Sequence, residues 1–153
     1  MRSVIALLIG LTFSAPAVAA NQTPYSGTKV VETGKPFAAY LVALEKAIKA
    51  NKMGIVARAC ATCGAKSIGI KIPGNRVIMI YNPHFAVRML KASTASGIEA
   101  PLRLYVTENA NGSARLTYRL PSHAFAPYKV GDLDMMAGEL DKIVAAIVKM
   151  ARS

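Results

Sequence analysis

Residues 101–121 read PLRLYVTENANGSARLTYRLP, and within them apolar and polar side chains trade places at every step. Leu102, Leu104 and Val106 alternate with Arg103, Tyr105 and Thr107. Past the turn, Ala114, Leu116, Tyr118 and Leu120 alternate with Arg115, Thr117 and Arg119. A period of two marks strands with one buried face, so this stretch predicts a hairpin. Its register follows from the turn. A two-residue Asn111-Gly112 turn would set Val106 against Thr117 and mix the faces. A three-residue Ala110-Asn111-Gly112 loop, with Gly112 left-handed, sets Val106 against Leu116 and Leu104 against Tyr118. A slip of one residue would turn every side chain to the other face, so the apolar pattern selects the longer loop. The same register sets Arg103 opposite Arg119 and Arg115 across from Thr107.

Weaker patterns predict the other elements. Residues 25–32 form a strand signal ending in Val30 and Val31. Gly34 and Pro36 are expected to break the chain and start a helix, since proline is tolerated in a first turn. Phe37, Leu41, Leu44 and Ile48 recur at helical spacing, with Glu45, Lys46 and Lys49 off the stripe. Residues 53–59 predict a second strand, and residues 68–72 a short strand before the Pro73-Gly74-Asn75 turn. Val77, Ile78, Met79, Ile80 and Tyr81 are apolar without alternation, which predicts an interior strand covered on both faces. Asn82-Pro83 ends it. Residues 85–91 have a short helical pattern, and residues 121–131, rich in proline and aromatics, predict a loop. The clearest helix spans residues 132–150, where Leu133, Met136, Leu140, Ile143, Ile147 and Met150 repeat every three or four positions. Asp132 and Asp134 suit its positive end, Lys149 and Arg152 its negative end. The order β-α-β-β-β-β-α predicts a two-layer α+β fold, with one mainly antiparallel sheet and two helices packed on one face.

Composition narrows the setting. A chain of 153 residues, 53% hydrophobic, suffices for one domain with a real core. Its first twenty residues read as a signal peptide: Met1-Arg2-Ser3, an apolar run from Val4 to Phe13, then small residues from Ser14 to Ala20. The run is too short to span a bilayer, which takes about 20 residues. Cleavage after Ala19 or Ala20 would leave residues 21–153 as a single exported domain, periplasmic or secreted, with no stable membrane insertion. The formal charge of +11 raises the question of nucleic acid. Export and the scattering of single basic residues from Lys29 to Arg152 argue against that partner. They leave a solvated basic surface, or an anionic partner such as lipid headgroups or an acidic metabolite.

Cys60 and Cys63 are the only cysteines, at C-x-x-C spacing. In an oxidising compartment they suit a small structural disulfide. A redox pair usually opens a sizeable helix, and Gly64, Gly69 and Pro73 leave little room for one. Two thiolates could hold a metal, but His84 and His123 lack ligand spacing, so no cofactor is expected. Nucleophile elbows and glycine-rich phosphate cradles are absent, and catalytic residues are not assigned. The remaining candidate site is the polar face of the hairpin: Arg103, Tyr105, Arg115, Thr117 and Arg119. Like charges opposed across a sheet are destabilising by roughly 0.2–1 kcal/mol. An anion would relieve that, whether Glu99, Glu108, a carboxylate from a second subunit or a ligand.

Several stretches together resemble a known family. They are Tyr81-Asn82-Pro83, Ala86-Val87-Arg88-Met89-Leu90-Lys91-Ala92 and Gly97-Ile98-Glu99-Ala100-Pro101-Leu102-Arg103. Tyr105-Val106-Thr107-Glu108-Asn109, Leu116-Thr117-Tyr118-Arg119, Pro121-Ser122 and Phe125-Ala126-Pro127-Tyr128 complete the set. From about the first helix to its end, the chain resembles the bacterial domain of unknown function numbered 302. That resemblance implies a small two-layer α+β fold, frequent export and self-association through the sheet. It implies no catalytic residue, and the Cys60/Cys63 pair stands outside its pattern. The expectation is a non-enzymatic exported protein that binds a small anion or a protein partner through a basic sheet face. The alternative is a thiol-dependent redox or metal-handling protein. A homodimer is expected, because helices are available to cover only one face of the apolar strand 77–81.

Overall fold

The hairpin forms with the register that alternation selects. In the computed structural model, which describes residues 24–153, it comprises β4 (Leu102–Glu108) and β5 (Ser113–Arg119). Leu104 pairs with Tyr118, Val106 with Leu116 and Thr107 with Arg115. Asn109 N–H donates to Ser113 O at 2.8 Å and Gly112 N–H to Asn109 O at 2.9 Å, closing a three-residue loop. Gly112 has φ +79°, the left-handed conformation that glycine adopts without strain. The loop also starts the first helix, because the Phe37 N–H donates to Gly112 O at 3.0 Å.

Around this hairpin the sheet has five strands, all antiparallel, in the order β1-β5-β4-β3-β2. They are joined by β1 (Thr28–Pro36), α1 (Phe37–Ala50), β2 (Gly54–Ala59), α2 (Ala61–Ser67), β3 (Asn75–Tyr81) and α3 (Pro83–Ala92). After β5 come α4 (Pro121–Phe125), a 3-10 turn (Ala126–Tyr128) and α5 (Gly131–Arg152). This is the α+β, single-sheet architecture expected from the pattern. Strand 77–81 is interior, flanked by β4 and β2.

Several local expectations are corrected. The first strand does not stop at Gly34. That glycine, at φ +73°, lies where the register shifts between Glu32 and Pro36, and the strand runs on to Pro36. Residues 68–72 are not a strand but turn and irregular chain, which follow the short helix α2 (Ala61–Ser67). Residues 121–131 are not a plain loop, for Pro121 opens the five-residue α4.

The core lies between one face of the sheet and the helices. Tyr40, Leu44 and Ile48 of α1 and Leu133, Met136, Leu140, Val144 and Ile147 of α5 pack on Ile78, Ile80, Leu104, Val106 and Leu116. Met89 of α3 and Phe125 of α4 join the same cluster, and α2 buries no residue. The two stripes are rotated slightly from those expected. On α1, Tyr40 and Ala47 are buried while Phe37 and Leu41 are half-buried. On α5, Val144 and Ala151 take the places expected for Ile143 and Met150. Among the described residues, no core-forming helix covers the opposite face of the sheet, which carries Val77, Met79, Arg103, Tyr105, Arg115, Thr117 and Arg119. The N-terminal segment expected to direct export lies outside the described residues. Among those described, no helix is long and apolar enough to cross a membrane.

Candidate functional site

The uncovered face carries all five candidate side chains, and one hollow on it gathers four of them. Continuing the register outward from Leu104 and Tyr118 puts Arg103 of β4 beside Arg119 of β5. One step inward, Tyr105 pairs with Thr117. All four line a hollow of about 280 Å³, open to solvent, with Tyr25 and Glu99 on its walls.

Two of the four side chains are held from different directions. The Arg119 guanidinium lies over the Tyr25 ring, 4.7 Å from its centroid. Tyr25 is brought there by Gly27, whose carbonyl accepts from Leu120 N–H at 2.8 Å. Gly27 has φ +76°, and a Cβ on it would sit 2.0 Å from Cγ of His123, so glycine is required on both counts. Tyr105 accepts a 2.6 Å hydrogen bond on its hydroxyl from the Asn75 amide of β3. The aromatic edge of the hollow is thereby tied to the sheet interior.

Arg115 stands apart. It is ion-paired with Glu32 on β1, and it does not line the hollow. The Asn109 amide, 2.8 Å from the same carboxylate, and then Arg115 hold Glu32 below the usual carboxylate range. Two other arginines are likewise satisfied, Arg58 by Glu45 and Arg88 by Glu139, each at 2.7 Å. Among the described residues Arg103 and Arg119 have no such carboxylate. Of the two internal anions considered for them, Glu108 is engaged elsewhere, whereas Glu99 lines the hollow and makes no ion pair with either arginine. Glu108 accepts from Gly74 N–H at 2.7 Å, and Glu99 from the Tyr128 hydroxyl at 3.2 Å.

Cys60 and Cys63 are joined in a disulfide at the start of α2, with Cys63 exposed and Cys60 half-buried. The Cys63 N–H donates to Cys60 Sγ at 3.0 Å. The pair lies on the β2–β3 connection, away from the arginine hollow in the chain's own wiring. His84 begins α3 and His123 packs on Gly27. Among the described residues no three of His, Cys, Asp and Glu stand together as metal ligands would.

Sequence reasoning missed Tyr25 and Asn75, whose roles depend on contacts between remote segments. It also missed a signal that was present. No aspartate or glutamate occurs between Glu45 and Glu99, while Lys46, Lys49, Lys52, Arg58, Lys66, Lys71, Arg76, Arg88 and Lys91 all do. Counting the two signs separately along the chain would have revealed this run.

Residues 28–150 match the family model described as Domain of unknown function DUF302. No curated protein matches the chain. Among solved structures, it is similar to the crystal structure of an uncharacterized conserved protein DUF302 from Bacillus stearothermophilus. The TM-score is 0.74 at 19% identity, over 83% of this chain and 99% of that one. At that identity the likeness establishes the shared fold.

Proposed function

The chain belongs to the family of domain of unknown function DUF302, whose membership fixes the fold and leaves function to the site, and we propose that it is a non-enzymatic exported protein that binds a small anion at Arg103 and Arg119. The observation that carries this reading is the contrast among arginines. Arg58, Arg88 and Arg115 are each ion-paired with a carboxylate, whereas Arg103 and Arg119 are adjacent in the register and, among the described residues, make no ion pair. Two adjacent guanidiniums repel each other, and an anion between them turns that cost into charge-assisted hydrogen bonds. Each fork presents planar N–H donors that fit a carboxylate or phosphate edge. Tyr25 under the Arg119 guanidinium and Tyr105, which lines the same hollow, supply flat apolar contact. The hollow suits a small ligand such as phosphate, sulfate or a carboxylate metabolite.

Thermal unfolding in a series of these anions tests the reading. A specific ligand raises the wild-type midpoint and leaves Arg103→Ala/Arg119→Ala unmoved. Equal shifts in both proteins would reduce the arginines to a solvated face.

Export rests on Arg2, the apolar run and the small residues that follow, and a disulfide suits that compartment. Protein recovered from the periplasm or medium should lack residues 1–19 or 1–20, and an intact Met1 on a membrane-embedded product would contradict it. Pairing of two chains across the uncovered sheet face belongs to the same proposal.

A second reading is favoured by the exposure of Cys63, namely thiol–disulfide exchange at the Cys60–Cys63 bond. Substituting both cysteines by serine separates the two, since it would abolish exchange and leave anion binding intact.

A further inference from the structure

The turn that follows α2 presents Ile68 at 71% exposure and Ile70 at 54%, separated only by Gly69. Lys66 and Lys71 bracket them. We propose that this turn is a membrane-contact site, in which Ile68 and Ile70 enter the interfacial region of an anionic bilayer while Lys66 and Lys71 engage lipid phosphates.

Three features support a lipid surface as the occupant. The first is rigidity. Gly69, at φ +76°, ends the helix in the left-handed conformation, with Gly69 N–H donating to Lys66 O at 3.1 Å and Ile70 N–H to Ala65 O at 2.9 Å. These paired bonds are the common glycine stop of a helix, in which the residue after glycine usually tucks against the last turn. Here Ile70 remains more than half exposed. The ends of the segment are clamped too. The Cys60–Cys63 disulfide closes its start, and Thr62 donates to Pro73 O at 3.1 Å while accepting from Asn75 N–H at 2.8 Å. Isoleucines held in place lose little conformational entropy on docking.

The second feature is charge. Between Glu45 and Glu99 every charged side chain is cationic. Each unpaired lysine or arginine near an anionic leaflet adds to binding; Arg58 and Arg88 are taken up by Glu45 and Glu139, whereas Lys66 and Lys71 make no ion pair among the described residues. The third is shape. A hollow of about 440 Å³, open to solvent, is lined by Thr62, Lys66, Ile70, Lys71 and Ile72, so two lysines and two isoleucines share one surface depression. Apolar residues flanked by cations are the composition that lies in a bilayer interface. A protein-binding patch would instead be depleted of lysine and enriched in aromatic residues.

Co-sedimentation with vesicles tests this, using wild type and variants recovered from the host with the same N-terminus. Vesicles containing phosphatidylglycerol should pellet the wild type, and vesicles of phosphatidylcholine alone should not. Ile68→Ser/Ile70→Ser, at exposed positions that leave the core intact, should lower the affinity by about tenfold or more. Lys66→Gln/Lys71→Gln should lose affinity and most of its salt dependence. Inorganic phosphate should compete no better than chloride at equal ionic strength, since the acyl layer is part of the site. Wild type that stays in solution with phosphatidylglycerol vesicles, or an Ile68→Ser/Ile70→Ser protein that pellets as wild type does, would overturn the inference. So would competition by inorganic phosphate beyond the chloride effect. Arg103→Ala/Arg119→Ala serves as a separate arm. It should bind vesicles normally whether or not the arginine hollow takes an anion, and loss of vesicle binding in it would move the membrane contact to the sheet face.

Discussion

Glu32 beside Arg115 is what separates that residue from Arg103 and Arg119, although all three point from the same face of the hairpin. Alternation identified the face, and nothing local could say which arginine would find a carboxylate, because Glu32 lies on β1, far away in sequence. A second single residue stands out in the core. Tyr40 is fully buried and its hydroxyl has no hydrogen-bond partner among the described residues. Burial pushes its pKa up to about 12 from an ordinary 10.0, with Arg152 nearby acting in the opposite direction. Leaving a buried hydroxyl unsatisfied costs about 1–3 kcal/mol, so Tyr40→Phe should raise stability by about 1 kcal/mol at neutral pH. The sign with pH follows from linkage. The stabilising contribution of a protonated Tyr40 is complete below pH 10, where the unfolded tyrosine also keeps its proton. It is lost as pH rises through about 12. Denaturant melts between pH 8 and pH 11 should therefore show the wild type losing more stability than Tyr40→Phe. Parallel losses would mean that Tyr40 is not the group responsible.

At the scale of elements, alternation identifies the hairpin strands, an unbroken apolar run identifies strand 77–81, and helical spacing identifies both long helices; the failures have physical causes. The stripe read along α5 advanced by three or four residues and ended at Met150, whereas burial follows Leu133, Met136, Leu140, Val144, Ile147 and Ala151. That set keeps the helix's own period of about 3.6, and choosing the larger side chain at each step drifts away from it. Gly34 reads as a stop in the sequence, yet one glycine within a strand often marks a shift of register. The helices α2 and α4 have seven and five residues, too few to establish a period. Two glycines test the element-level account in opposite directions. Gly112 needs its left-handed φ to close the hairpin, so Gly112→Ala should cost about 1 kcal/mol or more. Gly138, inside α5, would meet nothing within 4 Å on gaining a Cβ. Gly138→Ala should then stabilise by roughly 0.5–1 kcal/mol, because alanine loses less backbone entropy in a helix. Urea denaturation of the pair gives both signs, and two shifts of the same sign would contradict it.

Taken whole, the molecule is asymmetric. Its core-forming helices lie on one side of a five-stranded sheet, and the other side carries the arginine hollow. The single-sheet α+β fold was legible from element order and the family motifs. The hollow was legible only in part, since Arg103, Tyr105, Thr117 and Arg119 follow from register while Tyr25 reaches it through tertiary structure. Strand 77–81 was expected to be covered on both faces, yet Val77 and Met79 lie half-exposed on the open one. That exposure motivates the proposed pairing of two chains, and sedimentation equilibrium should return twice the mass of the processed chain. A single-chain mass at high concentration would rule it out. The Cys60–Cys63 bond closes a very short loop, so its chain-entropy contribution lies near the bottom of the usual range, roughly 1–2 kcal/mol. Cys60→Ser/Cys63→Ser should unfold at slightly lower denaturant and leave the sheet face unchanged.

The central claim is that Arg103 and Arg119 hold an anion which the other hairpin arginine does not. Side-chain Nε–H resonances of the arginines, followed by NMR as inorganic phosphate is added at constant ionic strength, test it most directly. The account predicts saturable shifts at Arg103 and Arg119 with a common midpoint, and little change at Arg115, whose Nε–H is already held by Glu32. Small, linear and equal shifts at all three would contradict it.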